Sequence, residues 1–187
     1  MSSASQQADK LHTNLYGPKK DDIILDIVTN SDFHERLSIS LYYRSIYGKS
    51  LFDDIKSKIG GDFGYCAAQM FLSPLEFCVH HLKIGLKKSN ECPFEMLTSK
   101  SIKELKIIEN AYKNYTGKDL KDDILNSFSG AVARNLLNLF NYPRNVNPNP
   151  KKNECEKYAN TLIEKEPKYW TEDEELFKEI FIQRSRE

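Results

Sequence analysis

The sequence predicts an all-α protein, and three observations carry that prediction. Apolar residues recur at helical spacing, as in Leu51, Ile55 and Ile59 and then Phe63, Ala67, Met70 and Phe71, with no alternating strand pattern of useful length between them. Two stretches, Asp32-Phe33-His34-Glu35 and Ser101-Ile102-Lys103-Glu104, have the form in which a side-chain oxygen and a glutamate three residues on satisfy the free amides of a helix start. A phrase also occurs twice: GKSLFDDIKSKIGGDF from Gly48 to Phe63 returns as GKDLKDDILNSFSGAV from Gly117 to Val132.

The offset between the copies, 117 − 48 = 69, pairs Glu35 with Glu104, Ile39 with Ile108, Tyr43 with Tyr112, Lys49 with Lys118 and Leu51 with Leu120 without a gap. It also pairs Asp53-Asp54-Ile55 with Asp122-Asp123-Ile124, Gly61 with Gly130 and Phe71 with Phe140. In the first copy the pattern predicts helices over about 4–16, 20–30, 33–47, 50–59 and 62–73. In the second it predicts about 75–87, 93–99, 102–116, 119–128 and 131–141, with Gly48, Gly61, Gly117 and Gly130 marking ends. The Pro- and Asn-rich NYPRNVNPNPKKN reads as a linker. Beyond it, Cys155–Glu166 and Thr171–Arg184 read as two more helices, the second opened by Thr171-Glu172-Asp173-Glu174 in capping-box form. The expected organisation is a short tail over 1–8, repeat one over 9–73, repeat two over 74–141, the linker over 142–153 and a partial repeat over 154–187.

The chain has 187 residues, 40% of them hydrophobic, and 27 Lys plus Arg against 27 Asp plus Glu. That is enough for a sizeable core, and no net charge draws nucleic acid or an anionic bilayer to the whole surface. The longest apolar runs, such as Ile23-Ile24-Leu25, fall far short of the roughly 18 residues of a spanning helix, and MSSASQQADK lacks an apolar signal core. A soluble cytoplasmic protein is expected. Cys66, Cys78, Cys92 and Cys155 form no C-x-x-C pair and no zinc spacing, and are read as reduced thiols. Adjacent His80 and His81 diverge by about 100° on a helix, which argues against a shared metal. No nucleophile elbow, P-loop or zinc motif appears, so catalysis is not expected. The Asp53-Asp54 and Asp122-Asp123 pairs read as carboxylates favoured by a helix N-terminal dipole.

RLSISLYYRSIYGKSLFDDIKSKIGGDF (Arg36 to Phe63), ELKIIENAYKNYTGKDLKDDILNSFSG (Glu104 to Gly130) and YANTLIEKEPKYWTEDEELFKEIFIQRS (Tyr158 to Ser185) resemble the annexin family. The resemblance covers nearly the whole chain and implies repeats of five short helices in a slightly curved, right-handed superhelical array. The chain stops inside the third repeat, where the family usually has four, which suggests a fragment or a truncated product.

The resemblance also implies calcium on the convex face. The family holds it with carbonyls of a K-G-x-G-T-D loop between the first two helices and a carboxylate after the fourth, and phospholipid completes the shell. A hard cation of this kind wants six to eight oxygens. In repeat one Gly17 matches the first loop glycine and Lys19 replaces the second, while the carboxylate position falls at Lys58, so only a weaker site at Gly17, Asp21 and Asp22 is left open. In repeat two the loop from Lys87 to Cys92 is two residues shorter and holds no glycine, and the carboxylate position is Ser127. Calcium is therefore not expected in repeats one and two. Repeat three keeps the loop length with Glu166 and Thr171 in place of glycines, which leaves Tyr169 and Thr171 as open candidates.

The resemblance further implies that Lys19, Lys20, Lys87 and Lys88 fall on that same face. They either meet anionic headgroups at about 1 kcal/mol each or form solvated loops. Trp170 is either an interfacial anchor or an aromatic packed under a helix start. The expected function is peripheral docking on acidic phospholipid, with any calcium dependence in repeat three or later. The alternative is a calcium-independent cytoskeletal or scaffold module. In either case the apolar faces of the third repeat (Leu162, Ile163, Leu176, Phe177, Ile180, Phe181) should be covered by repeat two, covered by a partner including self-association, or left disordered.

Overall fold

A computed structural model describes residues 3–18, 21–144, 151–170 and 172–184. The described helices are α1 Ala4–Tyr16, α2 Asp21–Asn30, α3 Phe33–Tyr47, α4 Leu51–Ile59, α5 Gly61–Gln69, α6 Pro74–Lys88, α7 Cys92–Thr98, α8 Ile102–Thr116, α9 Leu120–Ser127, α10 Gly130–Asn141, α11 Lys152–Glu164 and α12 Glu174–Phe177. A 3₁₀ turn at Pro167–Tyr169 precedes α12, and a π-helical segment at Lys178–Gln183 follows it. No strand occurs among the described residues.

Both sequence-level helix starts form as expected. The Glu35 amide donates to Asp32 at 2.8 Å and the Asp32 amide donates back to Glu35 at 2.9 Å, and Ser101 and Glu104 repeat the exchange at the head of α8. Helices α3 and α8 also stop in the same way. Gly48 (φ 64°) and Gly117 (φ 73°) take the left-handed conformation that a side chain resists, and their amides return to Arg44 and Lys113.

Three boundaries differ from the sequence expectation. Helix α1 runs over Ala4–Tyr16 as expected, capped by Ser3 and Gln6 with Ala8 fully buried, so that it starts within residues 1–8. Helix α5 stops at Gln69, four residues early, and Met70, Phe71 and Leu72 form i→i−3 turns leading to Ser73, which precedes Pro74, where the helical conformation is disfavoured, and caps α6 with Glu76. Helix α11 starts at Lys152, inside the expected linker, of which residues 145–150 lie outside the described residues. In the last segment the N-cap is Asp173, which accepts from the Leu176 amide at 3.2 Å, and the rest winds as a π segment. Thr171 lies outside the described residues.

Chain contacts divide the protein into two compact units, Met1–Phe77 and Cys78–Glu187, with the boundary inside α6. The core of the first gathers Leu11, Leu15, Ile24, Ile27, Ile39, Tyr43, Leu51, Ile55 and Phe71. The core of the second gathers Leu82, Leu86, Leu97, Leu105, Ile108, Tyr112, Leu120, Ile124, Leu136 and Phe140. The two sets correspond, with offset 69 from α3 onward and 71 in the back half of α1, where Leu11 and Leu15 pair with Leu82 and Leu86 (11 + 71 = 82). Of the three outcomes expected for the third repeat, repeat two covers part of its apolar face: Ile182 is 2% exposed within the second core and Phe177 packs against it. Ile163 remains 80% exposed.

Candidate loops for ion and membrane contact

In the first unit, the end of the bundle where α1 meets the α3–α4 junction and the end of α4 is filled with rings. Tyr43, fully buried on α3, donates to the Asp54 carboxylate at 2.6 Å, and Tyr16 donates to the same carboxylate at 3.0 and 3.1 Å. The single Tyr43 proton is spent on Asp54. His12 Nδ1, 3.2 Å from the Tyr43 oxygen, therefore carries the hydrogen of that contact. His12 also stacks on Tyr47 with ring centres 3.7 Å apart, and Tyr47 donates to Asp9 at 2.6 Å. Lys49 Nζ donates to the Tyr16 oxygen at 2.9 Å, which holds the Lys49 ammonium above its ordinary pKa. Lys58 Nζ lies 4.7 Å from the Tyr16 ring centre. Gly17 caps α1 in an extended conformation, and Asp21 and Asp22 are in the first turn of α2, Asp21 and Asp22 both exposed. Lys19 and Lys20 lie outside the described residues.

The Asp-Asp pairs are therefore only partly dipole residues. Asp53 and Asp122 are exposed in first turns, as read from the sequence, while Asp54 and Asp123 serve as acceptors for buried tyrosines.

The same end of the second unit is built differently. Tyr112 donates to Asp123 at 2.7 Å and Lys118 Nζ stands 3.9 Å from that carboxylate. Ser127 donates its hydroxyl to the Asp123 carbonyl at 2.6 Å. Lys87 and Lys88 close α6 and are exposed. The shortened loop after them turns on Ser89 at φ 50°, with the Asn90 amide donating to the Gly85 carbonyl at 3.2 Å. A Cβ on Gly85 would stand 2.7 Å from Pro93 Cδ, so this glycine admits the returning chain.

In the third repeat Trp170 is half-buried. Its indole N–H donates to the carbonyls of Leu162 (3.2 Å) and Lys165 (3.0 Å), and its ring stacks on Phe181 at 6.1 Å. Tyr169 is 45% exposed and its carbonyl accepts from the Glu172 amide at 3.2 Å. Lys165 pairs with Asp173, which holds the Asp173 carboxyl below its usual range.

Two bundles of five helices with matching caps, matching cores and a shared Tyr–Asp bond describe one repeat unit used twice, and a family model described as Annexin matches residues 6–67 and 80–139. The chain belongs to the annexin family. It is similar to annexin A6 of Gallus gallus, 30% identical over 99% of this chain and 28% of that protein, and to annexin A5 of Homo sapiens, 28% identical over 87% of this chain and 52% of that protein. Among solved structures it resembles chicken annexin V in complex with Zn2+, with a TM-score of 0.82 at 26% identity over 98% of this chain and 59% of that one. This annexin thus spans about half the length, or less, of these curated relatives.

Among the described residues of this annexin no group of three or more His, Cys, Asp or Glu side chains is placed to hold a metal ion. No described helix is long and apolar enough to cross a membrane. All four cysteines are free thiols, and burial pushes those of Cys78 and Cys92 up.

Burial, then the bond to an aspartate, raises the pKa of both Tyr43 and Tyr112 well above the ordinary value. A raised folded pKa gives stability that is whole below the unfolded tyrosine value, about 10, and is lost as pH climbs from there toward the folded value. Unfolding free energy should therefore fall above about pH 10 by up to about 1.4 kcal/mol per pH unit for each tyrosine. In urea titrations at stepped pH, Tyr43→Phe should remove one such contribution from the slope and leave the curve below pH 9 parallel to that of the wild type.

Proposed function

We propose that this annexin docks peripherally on acidic phospholipid surfaces in the cytoplasm. In this reading calcium coordination has faded from repeats one and two, and any calcium dependence lies in repeat three or later. The observation that carries it is the chemistry at the two positions where the family resemblance expects a carboxylate. Lys58 brings an ammonium to 4.7 Å from the Tyr16 ring, and Ser127 brings a hydroxyl already donating to a backbone carbonyl. Calcium needs several convergent oxygens and negative charge, so these donor sets do not fit it. The exposed Lys87 and Lys88 support direct attraction to an anionic leaflet, which needs no ion. Lys19 and Lys20 belong to the same proposal by sequence position. Trp170 contributes less than a free indole would, since entering the bilayer would break two hydrogen bonds.

Lys87→Gln together with Lys88→Gln should weaken pelleting with phosphatidylserine vesicles in chelator about tenfold or more, as two lysines at about 1 kcal/mol each require. Unchanged pelleting would remove the lysines from the account.

The second reading, a calcium-independent scaffold or cytoskeletal module, is favoured by the same loss of ion ligands and by Ile163, 80% exposed on α11, as a place for protein contact or self-association.

A further inference from the structure

A cavity of about 360 Å³ opens in the second unit, lined by Lys83, Leu86, Lys87, Tyr112, Thr116, Lys118, Asp123 and Ser127. With the offsets of 71 in α6 and 69 beyond it, those residues are the counterparts of His12, Leu15, Tyr16, Tyr43, Tyr47, Lys49, Asp54 and Lys58. The first unit fills this position with rings. Its His12 ring stacks on Tyr47 at 3.7 Å, Tyr16 bonds Asp54, and Lys58 lies on the Tyr16 ring. The second unit keeps the floor, Leu86, Tyr112 and Asp123, and exchanges three rings for Lys83, Lys87 and Thr116, with Ser127 in place of Lys58. Space and positive charge arrive at one place through the same substitutions.

We infer that this cavity is a phosphate-binding site in which the Lys83, Lys87 and Lys118 ammonium groups hold the anion without calcium. Three lysines face one carboxylate, and that carboxylate already accepts from Tyr112 at 2.7 Å with Lys118 3.9 Å away, so the lining keeps a positive excess. The two hydroxyl hydrogens are already used. Thr116 donates to the Tyr112 carbonyl at 2.7 Å and Ser127 donates to the Asp123 carbonyl at 2.6 Å, which leaves ammonium groups as the donors able to turn toward a ligand. Lys83 Nζ rests 5.1 Å from the Tyr115 ring. A concave wall with a positive excess concentrates anions more strongly than the same lysines on a flat face. The volume falls within the range of small-ligand pockets and admits a phosphate with a small substituent. The phosphate comes either from a lipid headgroup or from a free phosphorylated solute. The headgroup case rests on the membrane reading above.

The test is a titration of the full 187-residue chain with inorganic phosphate, then with O-phosphoserine, followed through backbone amide NMR shifts at ionic strength matched with chloride. Saturable shifts centred on Thr116, Lys118 and Ser127 are expected, absent with chloride alone. Lys87→Gln and Lys118→Gln should each weaken them about fivefold. Lys83→His with Lys87→Tyr and Thr116→Tyr, which rebuilds the first unit's three rings, should abolish them while far-ultraviolet circular dichroism stays helical. Absent shifts, shifts reproduced by chloride, or shifts that survive the filling would overturn the proposal. Vesicle pelleting in the same buffers separates the sources. Competition between phosphate and vesicles assigns the site to a lipid headgroup, whereas phosphate binding without pelleting assigns it to a soluble ligand and removes the membrane reading. Pelleting with no phosphate shifts removes the site and leaves that reading standing.

Discussion

Asp54→Ala should destabilise the first unit by about 3 kcal/mol, measured as a fall in the urea midpoint at constant slope. Asp54 is 9% exposed and accepts from two hydroxyls, one of them the fully buried Tyr43. Deleting the carboxylate leaves a buried donor without its acceptor and Lys49 without the negative charge behind its tyrosine partner. Asp123→Ala should cost about half as much, because that side chain is 19% exposed and its lost place can be filled by water. The coupling is open to a direct check: Tyr43→Phe combined with Asp54→Ala should cost less than the sum of the two, since each removes the same bond. Strict additivity would mean that the 2.6 Å contact contributes nothing.

Leu11→Ala and Leu82→Ala should each cost about 2–5 kcal/mol, the range for emptying a packed leucine site. Both leucines are 0% exposed and they are repeat counterparts. Leu41→Ala, at a site 60% exposed, should stay within about 0.5 kcal/mol. If Leu82→Ala behaved like Leu41→Ala, the offset that aligns the two cores would be wrong, and with it the assignment of Lys83 and Lys87 to the places of His12 and Tyr16.

Residues alike in both copies turned out to be those in mutual contact. Tyr43 and Asp54 are eleven positions apart, too far for any local rule, yet the same pair returns as Tyr112 and Asp123. The repeat held that signal, and reading the aspartates only as dipole residues passed over it. Helix starts were legible because capping is local: Asp32 and Glu35, and likewise Ser101 and Glu104, are only three residues apart. The early end of α5 depends on Pro74 acting on Ser73 and was legible in principle. The π segment was not, because Ile182 is drawn into a core made by residues far away in sequence. The cavity was also illegible. No single substitution among His12/Lys83, Tyr16/Lys87 and Tyr47/Thr116 signals a void, and only their meeting at one end of the bundle does.

The most direct test is sedimentation of this annexin with phosphatidylserine vesicles in three buffers: calcium, chelator, and chelator with high salt. Lysine-mediated docking predicts pelleting in chelator as in calcium, abolished by high salt through screening over a Debye length of a few ångströms. Pelleting in calcium alone would contradict it, and would place an ion site among donors that the lysines and the bound hydroxyl are here held to exclude.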